Sequence, residues 1–474
     1  MTHLVVHLND YRLDDHRPLD AALRSGQITY GLAVIDPAWS ALGPYGWPRM
    51  GERRLNWRLE AIEQLRQAYR DRGGDLVVRV GRTAQEVAAV ADALGCIAIF
   101  GQRPKTAEER AVVAAIEAHT PALTHTWLTN DTLFDAGDLP FDRHSYPKSF
   151  TRVRKYIEKY LDVPAPIDAP TTLWVPPCDV GPMPTMSDLH RAQHPIDARS
   201  TIARLGGGER GAQAQIEAYV WENEHLGHYK KTRNGMTAWH ESSRFSLYLA
   251  TGCISPRRLV HVVRQFEAER YANESTYWLY FELLWREYFH HLAEHAGDAI
   301  FREAGVQNRQ KTWQPINRDF DRWILGLTGQ PLVDACMREL ALTGYMSNRG
   351  RQIVASHLTK GLGIDWRAGA YWFEHHLIDY DPCVNWGNWQ YVSGVGTDPR
   401  DRQFNVRKQA QNYDRSAAFV HRWCPELAGL TAEECIAMNT PPADPWAQGQ
   451  LDALFQATYR KGKKTRPTRP TRSR

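Results

Sequence analysis

Five short apolar runs, LVVHL, TYGLAVI, LVVRV, IAIF and THTWL, recur through the first 130 residues, with amphipathic stretches such as WRLEAIEQLRQAYRDRG and TAQEVAAVADALG between them. Apolar runs of this length suit strands covered on both faces, and the longer period of the intervening stretches suits helices. This alternation predicts a doubly wound parallel sheet over residues 1–130. The glycine patterns of nucleotide chemistry are missing from it: no GxGxxG follows the first strand, and no GxxxxGK[ST] occurs. Gly206, Gly208 and Gly211 make a formal GxGxxG that follows no strand, and they are expected to open a helix.

Beyond the sheet region the pattern changes. Eight prolines between Pro164 and Pro195 break any regular period, so residues 131–200 read as a long linker wrapped over the surface. Residues 201–430 read as nearly all helix, and twelve of the seventeen tryptophans lie between Trp221 and Trp446. Residues 431–474 form a C-terminal extension ending in RKGKKTRPTRPTRSR, with eight Lys or Arg and no acid, while the whole chain carries only +4. Such a tail is expected to be a disordered basic arm. It either adds salt-sensitive affinity for phosphate backbones or only solubilises the chain. No apolar run reaches the length of a membrane span, and the first residues lack a secretory signal. Seven single cysteines with no CxxC suit reduced thiols in a cytoplasm and argue against zinc or iron–sulfur sites.

Chemistry-bearing residues concentrate in the helical part. The segment IDYDPCVNWGNWQY, 378–391, puts Asp379, Asp381, Asn385 and Asn388 beside Trp386, Trp389 and Tyr391. It suits either a large flat hydrogen-bonding ligand or a capped loop sealing a core. Upstream, Asn348, Arg351 and Gln352 share one helical face among apolar neighbours, where an arginine needs a partner; Asp379 or Asp381 is the expected one. Three hydroxyls, Ser242, Ser243 and Ser246, surround Arg244, as an anion cradle requires. In YWLYFELLWREYFHH, Glu282, Trp285 and Arg286 fall at i, i+3 and i+4, and a carboxyl in that aromatic setting tends to a raised pKa. His290, His291, His295, His375 and His376 lack HExxH spacing or a companion acid, so no metal is expected.

The runs STYWLYFELLWREYF, TGQPLVDACMRELALTGYMSNRGRQIVASHLTKGLGIDWR, LIDYDPCVNWGNWQYVSGVGTDPR and FNVRKQAQNYD closely resemble the flavin-binding domain of the photolyase and cryptochrome family, nearest its DASH branch. The likeness is close over roughly 220–425 and looser in the first third. It implies a sheet domain at 1–130, the linker, and a helical FAD-binding domain at 201–430. FAD would be held by Tyr229, Ser242, Ser243, Arg244, Phe245, Ser246, Glu282, Arg286, Asn348, Arg351, Asp379, Tyr380, Asp381 and Asn385. Glu282, Asn348, Arg349 and Gln352 would line the reaction site. Trp389, Trp366 and Trp313 match three tryptophans that relay an electron to excited flavin. Arg233, Trp285, Arg349, Tyr391 and Arg402 would face nucleic acid.

The resemblance further implies a monomer that repairs cyclobutane pyrimidine dimers by electron transfer from photoexcited reduced FAD. Gln352 and Tyr391 stand where double-strand photolyases carry Met and Trp, which implies a preference for single-stranded DNA. Alternatives are a photoreceptor that signals without repair, or a light-independent nucleotide-binding enzyme built on the first domain. An antenna pigment, folate or deazaflavin, is implied for that domain. In FGQRPKTAEER, however, Arg103 and Pro104 stand where a folate-facing acid is expected, so no antenna ligands are assigned.

Overall fold

The computed structural model of the chain describes residues 2–141, 146–398 and 400–439, and the basic arm at 460–474 lies outside them. All five apolar runs are strands: β1 (Thr2–His7), β2 (Ile28–Ile35), β3 (Leu76–Val80), β4 (Cys96–Gln102) and β5 (Thr124–Leu128). They pair in parallel in the order β3-β2-β1-β4-β5, with Val5 between Gly31 and Phe100. Val5, Ala33, Val78 and Phe100 turn towards α1 (Arg17–Arg24) and α2 (Glu52–Arg70). Leu4, Val6, Leu32 and Ile99 turn towards α3 (Thr83–Ala93) and α4 (Ala107–His119). Burial on both faces explains why the central runs are apolar without alternation.

The strand order reverses between β1 and β4, the place where an open sheet of this kind takes a ligand beyond its strand ends. Here the chain itself occupies that crevice. Asn9 Nδ2 donates to the Ala250 carbonyl at 2.7 Å, Tyr11 N to Thr251 O at 3.2 Å, and Arg12 Nη1 to Gly252 O at 2.9 Å. Gly252 has a φ of +63°, and a Cβ on it would meet Asn9 O at 2.3 Å, so only glycine fits the junction. Buried pairing of Arg257 with Asp15 at 3.0 Å adds to the same contact.

Helix α5 (Phe150–Tyr160) starts the connection between the two halves. The proline-rich stretch after it is laid against the sheet half by its backbone: Arg72 Nε donates to Pro170 O at 2.7 Å, Leu173 N to Arg72 O at 2.8 Å, and Val78 N to Val180 O at 2.8 Å. The rest is helical: α6 (Gly208–Ile216), α7 (Tyr229–Thr232), α8 (Ser246–Leu249), α9 (Pro256–Glu269), α10 (Glu274–Ala296), α11 (Arg318–Leu325), α12 (Pro331–Thr343), α13 (Asn348–Ser356), α14 (Trp366–His376) and α15 (Pro382–Ser393), then shorter helices. Gly206–Gly208 lead into α6, and a Cβ on Gly211 would meet Gly206 O at 2.1 Å, so these glycines serve helix packing. The aromatic segment 378–391 is a helix start rather than a loop, because Asp381 accepts from Val384 N at 3.0 Å and Pro382 occupies the first turn. Among the described residues no helix is long and apolar enough to cross a membrane.

Candidate functional site

Helix α10 organises the site. Asn273 caps it through Ser275 N and Thr276 N, and its length puts Glu282, Trp285, Arg286 and His290 on one stripe facing α15 and the segment around α7. At the upper end Glu282 lies 2.8 Å from Arg233 Nη1 and accepts from Trp278 Nε1 at 3.1 Å. Burial raises its pKa, and Arg233 and Trp278 pull it back only in part. Trp285 stacks on Phe150 of α5 at 3.7 Å and 14°, and meets Tyr391 of α15 edge-on at 5.6 Å.

At the lower end Asp381 carries two cations. His290 Nε2 is 2.8 Å and Arg286 Nη2 3.4 Å from Asp381 Oδ2. Burial alone would raise the Asp381 pKa, but His290 and Arg286 hold it down at about 2. Arg286 also donates to the carbonyl of Asp131, and His290 Nδ1 lies 3.1 Å from the Asp131 carboxylate, so the segment after β5 reaches this point. Chain spacing hid these acids from the metal argument. His290, Asp381 and Cys383 come within ligating reach of one another, as do buried His7 at the end of β1 and Asp10 and His16 beyond it.

Helix α13 supplies the second wall. Ser347 caps it by accepting from Gly350 N at 3.1 Å. Asn348 is exposed and Gln352 half-buried, and neither side chain has a hydrogen-bond partner among the described residues. Arg349 Nη2 donates to Asn234 Oδ1 at 3.0 Å, and its guanidinium lies over Tyr413 at 4.5 Å. Asn234 follows Arg233, so two consecutive residues tie Glu282 of α10 to Arg349 of α13. Arg351 Nη2 reaches both oxygens of buried Asp379 at 2.8 Å, which decides between the two partners expected for it. Tyr380 lies under Arg54 at 4.6 Å and accepts from Trp386 Nε1, and Asn385 donates to Ala370 O at 3.1 Å. Arg402 is exposed and pairs with Asp398 at 3.3 Å, beside Tyr391.

The serine segment departs from expectation in one respect. Arg244, at a φ of +57°, is turned inward: Nη1 donates to Tyr345 OH at 2.7 Å and Nη2 to Ala238 O at 3.0 Å. Tyr345 also lies under Arg351 at 5.5 Å, so one buried ring links the two guanidiniums. Glu339 below them is pushed up to about 8 by burial, despite Arg244 and Arg351. Ser242 and Ser246 therefore remain as the accessible hydroxyls, while Ser243, Phe245 and Tyr229 are buried, with Gln215 donating to Ser243 O at 2.9 Å. Sequence reasoning missed Phe150, Tyr345, Glu339 and His290 as parts of the site. Only His290 carried a signal, falling i+8 from Glu282 on the same stripe.

Trp389 and Trp366 are buried and Trp313 is partly so. Among the described residues no ring contact joins two of them directly. They are connected through neighbours: a Cβ on Gly369 would meet Trp389 at 2.2 Å, one turn along α14 from Trp366. Gln314 N, next to Trp313, donates to Gly363 O at 2.8 Å just before α14. Trp366 itself meets Trp386 edge-on at 5.5 Å.

Residues 278–463 match the family described as the FAD binding domain of DNA photolyase, and residues 3–171 match the DNA photolyase family. The chain is 43% identical over 456 residues to cryptochrome DASH of Natronomonas pharaonis, covering 95% of this chain and 94% of that one. It is 42% identical to cryptochrome DASH of Gloeobacter violaceus, covering 94% and 88% of the two chains. The crystal structure of a Synechocystis cryptochrome superposes with a TM-score of 0.88 at 38% identity, covering 95% of this chain and 94% of that one.

Proposed function

Since the chain belongs to the photolyase and cryptochrome family, in its DASH branch, and carries an FAD-binding domain of that type, we propose that it is a light-driven lyase for cyclobutane pyrimidine dimers, acting by preference on single-stranded DNA. The observation that carries this reading is the joining of Glu282 and Arg349 into one wall by Arg233 and Asn234. A half-buried acid and a guanidinium are then held in one network, with Trp285 and Tyr391 in contact one turn along α10 from Glu282.

The residues present fit FAD. Among the described residues Asn348 and Gln352 leave hydrogen-bonding capacity unused and the buried Arg244 Nε has no partner, with the Ser242 and Ser246 hydroxyls on the same segment, and Asp381 and Asp379 sit as ion-paired carboxylates at the foot of α15 and beside α13. The chemistry that reduced FAD would supply there, on excitation by blue light, is a transient electron for opening the cyclobutane ring, with no net oxidation. The protein's part is to hold and screen. Glu282, whose pKa burial raises, is placed to share a proton with a base carbonyl as charge builds there. Arg349 stabilises the same developing charge. Arg351 and Asp379 present a balanced pair, and Asn385 a neutral amide. Trp285 offers a stacking face for an unpaired base, an interaction of about 1–3 kcal/mol per base in single-strand binders.

Protein purified with ample riboflavin is expected to carry FAD by absorption, and after reduction to clear dimers from single-stranded oligonucleotides under blue light faster than from duplex. Glu282→Ala is expected to slow repair about 10²-fold with DNA binding changed little. Full repair by that variant would overturn the reading. The alternative, a photoreceptor that signals without repair, is supported by the linked positions of Trp389, Trp366 and Trp313, and predicts light-dependent flavin reduction with no dimer loss.

A further inference from the structure

His290 is buried on α10 and has a carboxylate oxygen at each ring nitrogen: Asp131 Oδ2 at 3.1 Å from Nδ1 and Asp381 Oδ2 at 2.8 Å from Nε2. A neutral imidazole has a single N–H, so one nitrogen would set its lone pair against an anion away from water. The geometry therefore calls for both protons, and the ring is an imidazolium held between two acids. One acid comes from the segment after β5 and the other caps α15, so a single cation ties the sheet half to the start of the helix that carries Asn385 and Trp389.

We infer that His290 is a positioning residue: a buried imidazolium clasp that fixes the charge and orientation of Asp381, and through it the affinity of the site for flavin. The inference rests on the reading that Asp381 faces the flavin. A carboxylate held only by the α15 backbone could turn or take up a proton, whereas one clamped between Val384 N, Arg286 and His290 can do neither cheaply.

The groups around the clasp make His290 the point at which pH acts. On its own helix Arg286 is a permanent cation, and Glu287 is bound to His291 at 2.9 Å. From the segment before α4, Lys105 faces Asp131 and pairs with Glu294 of α10 at 3.0 Å, and half-buried Glu109 of α4 also faces Asp131. On α15 the Cys383 thiol is driven upward by burial and by Asp381, so it stays protonated and makes a poor metal ligand. Burial and Arg286 disfavour the His290 charge, but Asp381 and Asp131 outweigh them and raise its pKa to about 9. A group whose pKa is raised on folding stabilises fully below its ordinary value, near 6.5, and loses that contribution as pH climbs through about 9.

The test uses the full chain, with FAD dissociation measured by fluorescence from pH 7 to 10, on wild type, His290→Gln, His290→Arg and Asp131→Asn. Wild-type affinity is expected to fall about tenfold across the upper end of that range, the scale of one pKa unit. His290→Gln should bind about tenfold more weakly at pH 7 with no inflection, and His290→Arg should recover affinity with a flat profile. NMR of the labelled imidazole should report both nitrogens protonated at pH 7, with or without FAD. A neutral His290 at pH 7, or a His290→Gln variant that is folded by circular dichroism and binds FAD as wild type does, overturns the clasp. Wild type that binds no FAD at any pH, yet shows the imidazolium signal, sinks the flavin-site reading and with it the link to affinity.

Discussion

Glu282 stands on α10, and Asp381 at the start of α15 is bound by His290, about 12 Å further along the same stripe of α10; partial burial of the first acid and full burial of the second leave them shifted in opposite directions. Burial raises both. Glu282 has one guanidinium and one indole N–H, which do not undo the effect; Asp381 has an imidazolium, a guanidinium and a backbone N–H, which more than undo it. The cations brought to each acid decide the direction of its shift: the more deeply buried Asp381 is the one held down. One end is thereby suited to giving a proton, and the other to keeping a fixed negative charge.

Removing a fixed anion should cost most. Asp379→Ala leaves Arg351 without its partner, and a loss of about 3 kcal/mol is expected in urea denaturation, the lower end for a broken buried pair because Arg351 keeps some solvent contact. A stability unchanged within error would mean that this pair resembles a surface one. Glu282 should show itself in rate instead of stability. Repair by the reduced protein is expected to decline as pH rises through the titration of this carboxyl, whose pKa burial raises, and Glu282→Gln should flatten the profile while lowering the rate. A wild-type profile flat from pH 5 to 9 would erase the proposed contrast between the two ends. The smallest effect belongs to Glu274, an exposed partner of Lys230 at the start of the same helix: Glu274→Gln should move stability by less than about 0.5 kcal/mol.

The legible parts of the chain are those governed by local pattern. The five strands followed from apolar runs, and the pairing of Arg351 with one of two nearby acids followed from a helical face that could not leave a guanidinium bare. His290 was visible only as one of several imidazoles, because its two acids lie some 90 and 160 residues away in sequence and no spacing rule reaches that far. The inward turn of Arg244 was hidden for a related reason: its local cluster of hydroxyls suggested an anion cradle, and its hydrogen bond to Tyr345 lies about 100 residues on. The stacking of Phe150 on Trp285 is likewise a tertiary fact, joining the start of the linker to the site's aromatic wall.

The filling of the crevice beyond β1 by Ala250–Gly252 bears on how the molecule comes apart. Each half is seated in the other like a plug in a socket, so the proline-rich strap outside them is a tether with little holding to do. A protease that nicks the strap near exposed Trp174 should leave two fragments that still travel as one species on a sizing column. Bulk at Gly252, by contrast, should loosen the seating with every peptide bond intact.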